Sequence, residues 1–283
     1  ERESPEHRAQ ALARLLALTK STAAEHLDLI VWPESAVGGT VLAKPETAAS
    51  LTALAHQVGA PIVVGAAEVL KFSTGDRADF PRVRLFNTAY LIQGEAAIGT
   101  PYRKRRLVPF SEYVPFEETI AWPKWIFPRG PVVTPGEGLL VFRLPNGVGV
   151  GPLICWESLF APLARDSVAG GAQILVQLSN DVWFRDTAAP WQHNLTSLLR
   201  AVEHRVPVVI ASNSGPSQII DAQGRVVASH ATLMQEAVVT GEVRAGTGPT
   251  FYTRMGDGPL LIVFLLLGAA MIPRRNANAL HQK

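Results

Sequence analysis

The stretch GPLICWES, Gly151 to Ser158, carries the only cysteine among 283 residues. A lone thiol forms no internal disulfide, so Cys155 is either an inert core residue or a nucleophile. A nucleophilic thiol needs a base to take its proton and a cation where negative charge develops on the attacked carbonyl. Glu34, in IVWPES beside Trp32 and Pro33, suits the first task, and Lys104, in PYRKRRLVPF, suits the second. Glu112, in VPFSEYVPFE, is either a second active-site carboxylate or a plain loop residue. Asn180 and Asp181 follow the apolar run VQLS, and Asn213 follows VIAS. Trp156, Glu157, Asn180 and Trp183, close behind two of these run ends, are the candidates for substrate contact.

Other chemistries find less support. A single Cys excludes a disulfide scaffold and a thiolate metal cluster, and neither H-x-x-x-H nor H-E-x-x-H occurs, so no metal site and no cofactor are expected. Net charge is +2, and the one basic run, Arg103 to Arg106, reads from composition alone as a solvated face, so no nucleic-acid partner is expected. Trp183 and Trp191 sit close behind a strand end, one of them expected to serve packing.

Elements must bring these residues together. Hydrophobic residues make up 47% and charged residues 18%, apolar for a soluble chain and too polar for a polytopic membrane protein. Segment 5–24 has Leu12, Leu15 and Leu16 at helical spacing, and 45–58, 160–169 and 190–204 also read as helices. Strands are expected in LDLIVWPES up to Pro33, then at 61–69, 85–93, 147–155, 172–179, 206–212, 217–229 (with a turn at 222–224) and 236–243. Residues 73–84 read as a polar loop, and the Pro- and aromatic-rich stretch 101–135 as a functional loop region. Apolar strands interleaved with helices imply an α/β layered domain. Four strands end in chemistry-bearing residues, so if they lie side by side their ends converge on one cleft.

The run PLLIVFLLLGAAMI (259–272) carries no charge and precedes Arg274 and Arg275. Its 14 residues span about 21 Å as a helix, short of the roughly 30 Å hydrocarbon core. It is apolar on every side, unlike an amphipathic core helix, so a membrane anchor is expected, with the arginines cytoplasmic and the α/β domain on the opposite face. A start at Glu1 within a helical pattern reads as a processed or truncated piece.

The motifs LDLIVWPES, YRKRRLVPFSEYVPFE, GPLICWES, LSNDVWF and PWQHNLTSLLRAVEHRVP occur in the order seen in the nitrilase superfamily. From about residue 24 onward the chain most resembles the extracytoplasmic domain of the bacterial apolipoprotein N-acyltransferase family. The resemblance implies a nitrilase-like α-β-β-α sandwich over residues 1–250 and a C-terminal anchor and tail over 251–283. It implies a Glu34–Lys104–Cys155 triad as base, stabiliser and nucleophile, with Glu112 as a further essential glutamate and Glu157 as the acidic residue after the nucleophile. The implied reaction carries a fatty acyl chain from a phospholipid, through a cysteine thioester, to the α-amino group of a diacylglyceryl-modified apolipoprotein at the bacterial inner membrane. The chain departs from the family pattern at Trp156, usually Tyr, at Ser111, usually Gly, and in SNSGPSQ. Two other readings stay open. One is a nitrilase-like amidase with water as acceptor. The other is a membrane-tethered relative of plasmid conjugal transfer proteins, with altered or no catalysis.

Overall fold

The computed structural model describes residues 5–38, 42, 44–72, 82–94, 98–117, 119–126 and 132–271. Within them two β-sheets face each other and helices cover both outer sides. The first sheet has the order β1 (Ile30–Val31), β2 (Ile62–Phe72), β3 (Arg82–Ile92), β4 (Tyr102–Arg103), with β1 and β2 parallel and the rest antiparallel. The second runs β10 (Val226–His230), β9 (Ser217–Ile220), β8 (Val208–Ser212), β7 (Ile174–Ser179), β6 (Gly149–Ile154), β5 (Phe142–Arg143). Its central strands β6, β7 and β8 are parallel, with Ile154 beside Leu178 and Leu178 beside Ala211.

Three apolar layers hold the sandwich. Helix α1 (Pro5–Ser21) and helix α2 (Pro45–Val58) pack on the first sheet, α2 through Leu51, Leu54, Ala55 and Val58 at one-face spacing. Pro45 opens α2, and Gly59, at φ 68°, closes it with N–H bonds back to the Ala55 and His56 carbonyls. Between the sheets lie Val63, Ala89, Phe142, Ile154, Val176 and Leu178. Helix α3 (Ala161–Ala169) and helix α4 (Ala189–His204) cover the second sheet around Leu153, Leu175, Val208 and Ile210. Strands buried on both faces must be apolar throughout, and β6 is buried at every position.

Several expected elements take a different form. The segment 236–243 forms no strand. It runs over the outer strands with Gly241 close against Ala228 and Ile219, and Glu236 pairs with Arg14 of α1 at 2.9 Å. Its valines give β-propensity, but it does not add a strand to the sheet beside β10. Of the polar loop expected at 73–84, residues 73–81 lie outside the described residues, and 82–84 already belong to β3.

Downstream come α5 (Phe251–Met255) and α6 (Gly258–Met271). Every α6 residue from Leu260 onward is exposed, although the helix is apolar on all sides. Among the described residues no helix is long and apolar enough to cross a membrane. The spanning helix expected over 259–272 is therefore not reached by α6, and Arg274 and Arg275 lie outside the described residues.

The junction of α4 with α5 is polar and buried. Thr250 Oγ1 accepts the Thr253 N–H, capping α5, and donates to the Glu203 carbonyl at 2.7 Å. His204, with no exposed surface, places Nδ1 2.8 Å from Thr253 Oγ1, and Arg165 Nε donates to the Thr253 carbonyl at 2.9 Å. Burial pulls the His204 imidazole down to about 4 from 6.5, with Arg200 and Arg165 acting in the same direction. A lowered folded value means the folded state favours the neutral ring. The resulting stabilisation is complete above about pH 6.5 and is lost as pH falls towards 4. Denaturant unfolding at stepped pH is expected to lose about 3 kcal/mol from this group between pH 7 and 4. His204→Gln flattens that part of the profile, and an unchanged profile in the variant counts against the assignment.

Candidate active site

The cleft lies where the carboxyl ends of β1, β6, β7 and β8 meet. Only β6, β7 and β8 are neighbours in one sheet, while β1 belongs to the facing sheet. Convergence comes from a bond across the seam: Asn213 Nδ2, after β8, donates to the Glu34 carbonyl at 2.8 Å. Gly65 of β2 permits the close approach, since a Cβ there would lie 2.8 Å from Glu34 Cα.

Glu34 is buried, and its Oε1 accepts the Asn87 side-chain amide at 2.7 Å and lies 3.4 Å from Lys104 Nζ. Lys104 is 1% exposed, so its ammonium lives on its partners. The second carboxylate is Glu112, whose Oε1 takes Lys104 Nζ at 3.0 Å and Asn87 Nδ2 at 3.4 Å. Its Oε2 accepts the Val108 N–H at 2.7 Å, fixing the loop that carries it. Burial alone would pull the Lys104 amine down, but Glu34, Cys155 and Glu112 together hold it above its ordinary value, so it stays cationic.

The basic run is not a solvated face. Lys104 points inward from the end of β4, while Arg103 forks onto Glu68 at 2.6 and 2.9 Å. Arg105 reaches Asp166 at 3.4 Å, and Arg106 stacks over the Phe160 ring, 5.7 Å from its centroid. Alternation at the strand end sorts four adjacent cations into different surroundings.

Cys155 opens a 3-10 turn (Cys155–Leu159) directly after β6, at φ 54°. A non-glycine residue in this region carries strain of about 1–3 kcal/mol, which the packed turn must hold. The turn leaves the thiol half-buried at the cleft. Burial pushes the thiol well above its ordinary value; the Glu34 and Asp181 charges add to this, while Lys104 and the Asn180 N–H oppose it. The resting sulfur is thus a protonated thiol between a carboxylate and an ammonium.

Glu157 secures the turn. It has no exposed surface, and its Oε2 accepts the Ile154 N–H at 2.8 Å and the Tyr102 hydroxyl at 2.9 Å. Its Oε1 accepts the Arg105 and Arg106 N–H groups at 2.7 and 3.1 Å. Glu157 therefore joins the nucleophile's turn to the backbone just past Lys104 and presents no free face to a ligand. Burial pushes its carboxyl above the ordinary range, against the pull of these donors.

The other candidates for substrate contact are more open. Trp156 donates from Nε1 to the Arg106 carbonyl at 2.6 Å and packs edge-on to Phe160. Asn180 has a buried Oδ1 without a hydrogen-bond partner among the described residues. Trp183 is 82% exposed, and Trp191 is also exposed, beside Leu195 and Leu198 in an apolar groove of α4, so neither is a buried packing residue. Among the described residues no group of three His, Cys, Asp or Glu side chains is placed to hold a metal ion. Asn87, Tyr102 and the Asp181–His193 pair were not singled out for these roles from the sequence. The available signal was a polar residue inside an apolar alternation, as in LFNTAYLIQ.

A two-sheet sandwich with a Glu, Lys and Cys at the meeting of its strand ends matches the carbon-nitrogen hydrolase family model over residues 3–250, and the chain belongs to that family. It is similar to the apolipoprotein N-acyltransferase of Geobacter metallireducens, 37% identical over 239 residues, covering 84% of this chain and 44% of the relative. The apolipoprotein N-acyltransferase of Rhodopseudomonas palustris is 30% identical over 262 residues, covering 90% and 47% respectively. The chain spans about half the length of the curated relatives it matches. Among solved structures, Nit3 of Saccharomyces cerevisiae, a member of branch 10 of the nitrilase superfamily, superposes with a TM-score of 0.61 at 20% identity, covering 97% of this chain and 93% of Nit3. The family resemblance drawn from the motifs is borne out: the chain is a carbon-nitrogen hydrolase family member similar over most of its length to proteins named apolipoprotein N-acyltransferase.

Glu157→Gln turns an acceptor into a donor facing existing donors. It is expected to cost about 2–4 kcal/mol in denaturant unfolding and to loosen the Arg105–Arg106 backbone in amide exchange. A variant as stable as wild type would mean that the turn does not depend on this side chain.

Proposed function

We propose that the chain carries the acyl-transfer centre of an apolipoprotein N-acyltransferase. Acyl is taken from a phospholipid onto Cys155 and passed to the α-amino group of a diacylglyceryl-modified lipoprotein. The observation that carries this reading is the buried Lys104 ammonium between Glu34 and Glu112, beside the half-buried thiol, in a chain 37% identical to an enzyme of that name.

Because the resting thiol is protonated, its ionisation is coupled to attack. Glu34 takes the proton as sulfur bonds to the ester carbonyl carbon, and the carbonyl oxygen becomes an oxyanion facing the Lys104 ammonium. The C–O bond then breaks, the glycerol oxygen takes the proton from Glu34, and lysophospholipid leaves a thioester. In the second half, the lipoprotein amine attacks the thioester carbon, the C–S bond breaks to give the amide, and the amine proton passes through Glu34 to the sulfur. Glu112 holds Lys104 and Asn87 in place, and Glu157 braces the turn. In this reading Trp156, Asn180 and Trp183 contact the substrate.

The exposed Phe110, Phe116, Trp125, Trp183 and Phe184, with the bare apolar α6, suit an enzyme whose donor lies in a bilayer. The family match ending at residue 250 supports a catalytic unit over 1–250, with residues 251–283 forming an anchoring segment and tail. The setting that follows is the bacterial inner membrane, with the catalytic domain on its extracytoplasmic face.

Intact-protein mass spectrometry after incubation with phosphatidylethanolamine vesicles tests the reading. Wild type is expected to gain one fatty-acyl mass removable by hydroxylamine, Cys155→Ala none, and Glu34→Gln to acylate about 10²–10⁴-fold more slowly. An adduct of unchanged yield in Cys155→Ala sinks the mechanism. So does its absence from folded protein extended to the relatives' full length.

A further inference from the structure

A buried polar chain lies behind the thiol and takes no part in the reaction described above. Asp181 has no exposed surface; its Oδ2 accepts the Ser179 hydroxyl at 2.6 Å, and its Oδ1 lies 2.9 Å from His193 Nδ1. No Lys or Arg among the described residues forms an ion pair with Asp181. A carboxylate only accepts, so Nδ1 of His193 carries a proton. The other ring nitrogen, Nε2, lies 3.3 Å from Gln177 Nε2, and Gln177 Oε1 accepts the Ser197 hydroxyl.

That amide orientation gives His193 Nε2 a donor, so the ring is neutral and the pair carries one negative charge. Turning the amide over would present Oε1 to Nε2 and let Ser197 Oγ accept from the amide nitrogen. The same four side chains then hold an imidazolium, with the added proton coming from solvent and the pair carrying no net charge. Both states keep these buried groups partnered, which an apolar or one-sided neighbour would not permit.

We infer that Asp181 and His193 are positioning residues for Cys155: they fix the turn that aims the Asn180 N–H at the sulfur, and the second proton on His193 decides whether the Asp181 charge opposes the thiolate. The inference rests on the reading of Cys155 as the nucleophile. The Asp181 charge already acts on this thiol, after burial and Glu34. Of the titratable groups around the imidazole, Asp181 meets it from the turn after β7. Cys155 lies beyond that turn on the element after β6, and Arg200 follows two turns along α4.

Cys155 is the only cysteine, so mass addition by iodoacetamide on the 283-residue chain reports this one thiol. Asp181→Asn removes the opposing charge and is expected to speed alkylation about 10-fold above the imidazole inflection, where the pair carries one negative charge, and to change it little below that inflection, where the wild-type pair carries none. His193→Gln leaves the charge with no proton to cancel it. It is expected to slow alkylation several-fold below the imidazole inflection, where the wild-type ring carries its second proton, and to match wild type above it. A purely structural role would move both variants in the same direction at every pH, and that result overturns the inference.

Should either variant fail to fold, wild type suffices. Linkage requires that a charged carboxymethyl group on Cys155 raise the inflection of one imidazole, in histidine-labelled NMR, above its position with neutral carbamidomethyl. Identical inflections overturn the inference. Alkylation needs no acyl donor, so failure of the acyl-transfer reading and failure of this one are read separately.

Discussion

Everything in the cleft depends on keeping one ammonium inside the protein. An unpaired Lys at the depth of Lys104 would surrender its proton or unfold the seam between the sheets. It is held by two carboxylates at 3.4 and 3.0 Å, which are themselves held by Asn87 and by the Val108 N–H. Each tie comes from a different element: the loop after β1, strand β3, the end of β4 and the loop carrying Glu112. The charge cluster therefore fixes the relative position of chain segments far apart in sequence. The missing Cβ of Gly65 and the Asn213 bond to the Glu34 carbonyl are consequences of the same requirement.

The thiol obeys the opposite logic. Lys104 alone would favour a thiolate, yet burial and two carboxylates outweigh it. Burial and the net negative charge around this half-buried sulfur keep it protonated and slow towards stray electrophiles. In the proposed acyl transfer, attack requires Glu34 to accept a proton at the moment when oxyanion charge appears for Lys104 to meet. On that proposal, a base and a cation that share one contact at rest are given separate tasks by the same substrate.

The fold was legible wherever one residue period dominated. Residues 45–58 show one-face apolar spacing between Pro45 and Gly59, and β6 to β8 show short apolar runs, because both outer layers must bury them. The segment 236–243 misled because valine content reports fit to a pleated surface, not whether a strand partner is available. The site was legible at Glu34 and Cys155, where an apolar run stops at a reactive side chain. Lys104 was legible as a candidate but not as a buried one: its three basic neighbours read as a solvated face, and only the register of β3 with β4 turns that residue inward. Asn87 and Tyr102 could not be read either, because their partners come from distant segments.

Helix α4 shows why periodicity alone does not give the buried face. Its inner side carries His193, Asn194, Ser197, Arg200 and His204, while Leu195, Leu199 and Val202 face outward. Such an inversion is tolerable only if inward polar atoms find partners, and most do: Asn194 with the Pro216 carbonyl and Gln218, Ser197 with Gln177, His204 with Thr253. The stripe begins beside Asp181, behind the thiol, and ends at the cap of α5, which leads into the apolar α6. One helix thus ties the cleft to the chain's most apolar segment through hydrogen bonds. Hydrogen bonds are directional where apolar contacts can slide, so this choice of side chains fixes the orientation of α5 relative to the cleft.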